Sequence, residues 1–270
     1  MIFNYEYKQG RVSDVKFVLV LTLLMALAAC SRTSTGPDSN RQPSIASASP
    51  DKKAVVHMQL ARGYMEEKQY ATAKIQLERA LEISPAHSDS NYVMALLMLK
   101  LEQYSSAESH FERAVASDNE NSSAAHDFGT FLCQINKPRK AVKYFDIAAS
   151  NPLFDQAKLS YARAGQCIVR QDSERAEAYL RKALTLDSRL RPALYSLAQL
   201  KFNDGNHLSA RAYIERYLAI TTPKAESLML AYKIESNLNS PEQANQYRTK
   251  LLTSFPGSKQ AKELRTEDRF

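Results

Sequence analysis

From residue 54 onward, apolar positions recur at helical spacing, and the same arrangement returns at a nearly constant interval. The segments AKIQLERALEISP (73–85), AESHFERAVASDN (107–119), AVKYFDIAASNP (141–152), AEAYLRKALTLDS (176–188) and ARAYIERYLAITTP (210–223) align without gaps, and ANQYRTKLLTSFP (244–256) follows. Their leading alanines, Ala73, Ala107, Ala141, Ala176, Ala210 and Ala244, are 34, 34, 35, 34 and 34 residues apart. Apolar residues four and seven places after each alanine, such as Leu77 and Ala80 or Phe111 and Ala114, fall on one helical face. A small residue stands about twelve positions before each alanine, at Ala61, Ala95, Gly129, Gly165, Ala198 and Ala231. Small residues on both partners let two helices approach closely, while Leu60, Tyr64, Leu77 and their counterparts are expected to fill the space between. The unit is therefore a helical hairpin, repeated six times.

The first unit, with Leu60-Ala61, Tyr64, Ala73, Leu77, Ala80 and Pro85, resembles the tetratricopeptide repeat. That resemblance implies an all-α solenoid of six helix-turn-helix repeats wound into a right-handed superhelix over residues 51–258. Later units depart from the pattern, with Asn119 or Ser188 in place of Pro and Tyr217 or Leu251 in place of the last Ala. Residues 259–270, including KELRTEDRF, read as a polar C-terminal tail. In such a stack each unit touches its neighbours, and the first helices line a concave groove suited to an extended peptide or helix. Outward positions on the opening first helices are Met58, Arg62, Met65, Tyr92, Leu96, Leu99, His126 and Thr130. Their apolar members point to a hydrophobic partner segment, with packing between repeats as the alternative for about half of them.

The amino terminus carries a different pattern. A basic lead with Lys8, Arg11 and Lys16 precedes an apolar run from Phe17, small residues, and then Cys30. This is the layout of a secretory signal over residues 1–29. The apolar run, about 13 residues, is shorter than the roughly 20 a spanning helix needs. Leu27-Ala28-Ala29-Cys30 resembles the bacterial lipobox, which implies a diacylglyceryl thioether on Cys30, cleavage before it, and acylation of the new amino terminus. Such chains anchor stably to a bilayer. Ser31 and Arg32, in place of an acidic residue, imply sorting to the periplasmic face of the outer membrane. Residues 30–50 are rich in Ser, Pro, Asn and Thr and read as a flexible lipidated tether. The residues before Val15 are long and polar for such a signal, so translation is expected to start downstream of Met1.

Composition removes several function classes. Only 7 glycines occur among 270 residues, 44% are hydrophobic and 24% charged, which favours helix. The net charge of +7 is spread over faces that also carry Asp and Glu, which argues for a solvated surface and against nucleic acid. His57, His87, His110, His126 and His207 form no His-Glu-x-x-His pattern, and no Cys-x-x-Cys or phosphate-binding glycine loop is present. No metal, no catalytic residues and no cofactor beyond the lipid on Cys30 are expected. The remaining cysteines, Cys133 and Cys167, stand late in the first helices of adjacent repeats. A disulfide between them is favoured in an oxidising compartment, with two buried free thiols as the alternative.

A lipobox, six repeats and the ending ESLMLAYKIESNLNSPEQANQYRTKLLTSFPGS (226–258) together resemble the PilW/PilF family of type IV pilus biogenesis proteins, the pilotins. The resemblance implies a monomeric, non-enzymatic lipoprotein that binds type IV pilus secretin subunits at the inner leaflet of the outer membrane and promotes their multimerisation. A scaffold in another envelope machine, for outer-membrane protein assembly or peptidoglycan remodelling, is the alternative.

Overall fold

The structure is a computed structural model that describes residues 49–267. The signal segment, Cys30 and all but the end of the tether lie outside these residues. Among the described residues thirteen α-helices follow one another with no strand. They form six antiparallel hairpins: α1 (Pro50–Glu66) with α2 (Tyr70–Ile83), α3 (Ser88–Lys100) with α4 (Tyr104–Ser117), α5 (Ser122–Gln134) with α6 (Pro138–Ser150), α7 (Ala157–Ile168) with α8 (Ser173–Leu186), α9 (Arg191–Asn203) with α10 (His207–Leu218), and α11 (Ala225–Asn237) with α12 (Pro241–Ser254). A last helix, α13 (Lys259–Glu267), follows. Each hairpin packs on the next, as a solenoid requires.

The small residues explain the close pairing inside each hairpin. Ala61, Ala95, Ala198 and Ala231 are fully buried, as are the leading alanines of the first five second helices. At Gly129 a Cβ would lie 2.9 Å from the Phe145 ring, and at Gly165 it would lie 2.7 Å from Leu180 and 2.8 Å from the Ala176 carbonyl oxygen. Glycine at these two positions is a packing requirement. Phe111, Phe128, Phe145, Leu77 and Leu180 then fill the interior with no exposure above 1%.

The turn inside each hairpin is also periodic. Lys68, Glu102, Asn136, Gly205 and Asn239 all have positive φ, between 53° and 74°. At each, the next amide reaches back to a carbonyl in the preceding helix, as in Gln69 to Tyr64 at 2.8 Å and Gln103 to Met98 at 2.8 Å. This left-handed closure satisfies carbonyls that the helix end would leave unpaired. The fourth hairpin departs from it: Val169 ends α7 in a right-handed conformation, and the Gln171 and Asp172 amides both bond to Ile168.

Polar bonds close single hairpins and, through Asn121 and Ser88, join one hairpin to the next. Ser84 donates to Asp51 at 2.8 Å, Asn121 donates to Ser88 at 2.9 Å, Asn151 donates to Ser122 at 3.0 Å, and Lys158 pairs with Asp187 at 2.9 Å. Glu235, 2% exposed, is held by Arg211, whose Nε donates to it at 2.8 Å. The carboxy terminus corrects the sequence expectation of a polar tail. Residues 259–267 form α13, because Ala261 and Leu264 share one helical face and both are buried, Leu264 against Leu228, Met229 and Leu251. That helix covers the apolar side of the sixth repeat, as a capping element of a solenoid does.

Candidate protein-binding site

The groove residues expected from the sequence divide into two sets. Met58 and Tyr92 are buried at 6% and 9% exposure, which corrects their assignment as partner-contacting groups. Met58 packs with Ala61, Leu77 and Val93. Tyr92 packs against Phe111, and its hydroxyl donates to Asp127 on the next first helix at 2.7 Å. Burial and then the Asp127 charge raise its pKa, so the phenol stays protonated. Spacing alone places both on the groove side, but each lies at a seam where adjacent first helices meet.

Others remain accessible at their edges. Arg62 is exposed, and its charge acts on the Tyr92 hydroxyl. Met65, Leu96 and Leu99 are half-buried against the core. His126 is half-buried, its Nδ1 lies 2.8 Å from Ser160 Oγ across the repeat boundary, and its ring meets Phe145 edge-on. Thr130 turns inward, donating to the His126 carbonyl at 3.1 Å. The opening repeats therefore present a partly apolar wall with Arg62 at its mouth.

A second apolar surface lies outside the sequence expectation. Leu60, expected to fill space within its hairpin, is 47% exposed. Its counterparts Met94, Phe128, Ala164, Leu197 and Leu230 are all buried at 9% or less. The difference is positional: those residues sit in units that have a preceding repeat, and α1 has none among the described residues. Val56, Leu60, Gly63 and Tyr64, with Gln59 and Glu67, therefore line an open cavity of about 370 Å³. A Cβ at Gly63 would meet nothing within 4 Å, which leaves a flat floor. Comparing corresponding residues across repeats is the signal that could have found it: an interior-type residue in the first unit has no neighbour to cover it.

Cys133 and Cys167 are joined by a disulfide, with Cα atoms 5.7 Å apart and a sequence separation of 34. The bond ties α5 to α7, whose C-terminal turn is the one that departs from the left-handed pattern. Among the described residues no cluster of His, Cys, Asp and Glu is placed to hold a metal ion, and none of their helices is long and apolar enough to cross a membrane. The arrangement offers surfaces for a polypeptide.

These features define an all-α tetratricopeptide-repeat solenoid, and residues 64–128 match the Tetratricopeptide repeat family. The chain is 24% identical over 254 residues to the "Type IV pilus assembly protein PilF" of Pseudomonas aeruginosa, covering 94% of this chain and 99% of that one. Its fold resembles the solved structure of PilW, described as a widely conserved type IV pilus biogenesis factor, with TM-score 0.65 and 27% identity over 79% of this chain and 98% of the other. It likewise resembles the solved structure of Pseudomonas aeruginosa PilF, with TM-score 0.68 and 23% identity over 82% and 100%. The chain is thus similar over nearly its whole length to type IV pilus tetratricopeptide-repeat proteins of the PilF and PilW kind.

Proposed function

We propose that this protein is an outer-membrane lipoprotein adaptor of the pilotin kind, which binds secretin subunits and promotes their localisation and multimerisation for type IV pilus biogenesis. The single observation that carries the reading is the end-to-end similarity to a type IV pilus assembly protein. It is supported by an uncovered apolar face on α1 beside the groove of the opening repeats.

The physical scheme follows from anchor plus surface. Lipid on Cys30 holds the protein at the inner leaflet of the outer membrane, and the polar tether lets the solenoid range above it, with a root-mean-square span on the order of 25 Å. An unassembled secretin subunit exposes apolar surface that its neighbours in the ring later cover. Leu60 and its flanking residues take that surface meanwhile, the half-exposed Leu60 contributing about 1 kcal/mol on burial. The contact is weak enough to be released when subunits join one another. The protein acts as a monomer, with no cofactor and no chemical step.

A deletion strain tests this. Secretin multimers in the outer membrane should fall sharply and pili should be lost; normal multimers with normal pili would reject the reading. Cys30→Ala should give soluble, non-acylated protein that still captures secretin subunits but leaves them mislocalised.

A further inference from the structure

The second half of the solenoid carries a surface of opposite character to α1. Two cavities, of about 680 and 600 Å³, are lined by the fourth and fifth repeats and the loop that leads into α11, and share Gln166 and Tyr195 in their linings. Through these two residues the cavities adjoin. Arg170 lines the first, Arg191 and Lys224 line the second, and no carboxylate lines either. What sets the two linings apart is this grouping of three cations with no carboxylate among the residues that line them. Glu226, in the first turn of α11, acts on Tyr195 through its charge but is not among the lining residues.

The rest of the lining suits a backbone. Gln166 donates to Ser196 at 2.9 Å, which fixes its amide at the seam between the cavities. Gln199 and Asn203 add further amide groups, able both to donate and to accept. Tyr195 and Tyr217 stand 5.2 Å apart and offer rigid faces with polar tips. An extended chain presents unpaired N–H and C=O groups along its length, which such amides can match, and alternate side chains point to the same side. The three cations then select for carboxylates at those positions.

We propose that these adjoining cavities, between the fourth repeat and the start of the sixth, are a binding site for an extended acidic polypeptide segment, separate from the apolar surface of the first repeat. This rests on the reading of the solenoid as a binding scaffold and adds a second class of contact to it. A partner could then be held at both ends, by apolar burial on α1 and by carboxylates here.

The test uses the full-length protein and a fluorescein-labelled Gly/Ser/Glu peptide, read by fluorescence anisotropy beside its Gly/Ser/Gln isostere. The acidic peptide should bind at least about tenfold more tightly at low salt and lose that advantage as salt rises from about 50 to about 300 mM. Arg191→Glu with Lys224→Glu should abolish the preference. Lys250→Glu with Lys262→Glu, which changes net charge equally at exposed sites on α12 and α13, should leave it within about twofold. Equal loss in both double variants would show charge attraction without a site and overturn the inference. So would equal affinity for the two peptides, or tighter binding of a single-stranded oligonucleotide of the same charge. Thermal unfolding of each variant establishes that it is folded. Secretin capture is scored separately: intact capture without acidic-peptide preference overturns this inference alone and leaves the proposed function standing.

Discussion

The Cβ that Gly165 lacks would sit 2.7 Å from Cγ of Leu180, while the one that Gly63 lacks would meet nothing within 4 Å. Alanine at either position gains roughly 1 kcal/mol of helix propensity over glycine. Only the position in α1 has room for the added methyl. Gly63→Ala is therefore expected to stabilise the solenoid by up to about 1 kcal/mol, and Gly165→Ala to destabilise it by about 1–3 kcal/mol through overpacking. Urea unfolding of both variants checks the opposite signs.

The hairpin turns provide a second contrast. Lys68 and Glu102 occupy the left-handed region where Gly205 stands in the fifth repeat. A side chain in that region costs an L-residue on the order of 1 kcal/mol. Lys68→Gly and Glu102→Gly should each raise the unfolding midpoint, and Gly205→Ala, whose Cβ would have open space, should lower it. A lowered midpoint in the first two would contradict the assigned turn geometry.

These positions also mark how far the sequence could be read. The pairing alanines and the small residues opposite them were legible because close helix contact leaves no alternative to Ala or Gly at Ala61, Gly129 or Gly165. The turns at Lys68 and Glu102 were not, since neither residue signals a left-handed backbone and the cost is carried by the surrounding hairpin. The exposure of Leu60 and the burial of Leu264 escaped for one shared reason. A repeat pattern describes an interior unit, and the first and last units differ from it in opposite ways: α13 covers the last repeat, while α1 is open among the described residues. Met58 and Tyr92 were misplaced because helical phase identifies a face without saying whether the next repeat covers it.

The disulfide between Cys133 and Cys167 closes a loop of 34 residues. Its removal should cost about 3–4 kcal/mol through the entropy of the unfolded chain. Cys133→Ser with Cys167→Ser should unfold at distinctly lower urea than the wild type, and reductant should move the wild type toward the variant. Two reactive thiols in unfolded, unreduced protein would contradict the bond.

Acidification should weaken the second and third repeats and their junctions. Burial is the first cause lowering the pKa values of both His110 and His126 from the ordinary 6.5, with Arg113 adding to it for His110 and Arg163 for His126, against Asp127. The unfolded chain then binds protons that the folded chain refuses, so stability is full above the ordinary value and declines as pH falls from there through the depressed ones. The urea midpoint should be lower at about pH 5.5 than at about pH 7.5, and the His110→Asn/His126→Asn protein should show a shallower decline. An unchanged pH dependence in that variant would remove these histidines as its source.

The most direct measurement is quantitative capture of secretin subunits from envelope extract by the full-length protein and by its Val56→Asp/Leu60→Asp variant, both verified as folded. The wild type should enrich secretin, and the variant should lose most of that enrichment because two charges now occupy the apolar face of α1. No enrichment by the wild type, or equal enrichment by both proteins, would contradict a pilotin that works through this surface.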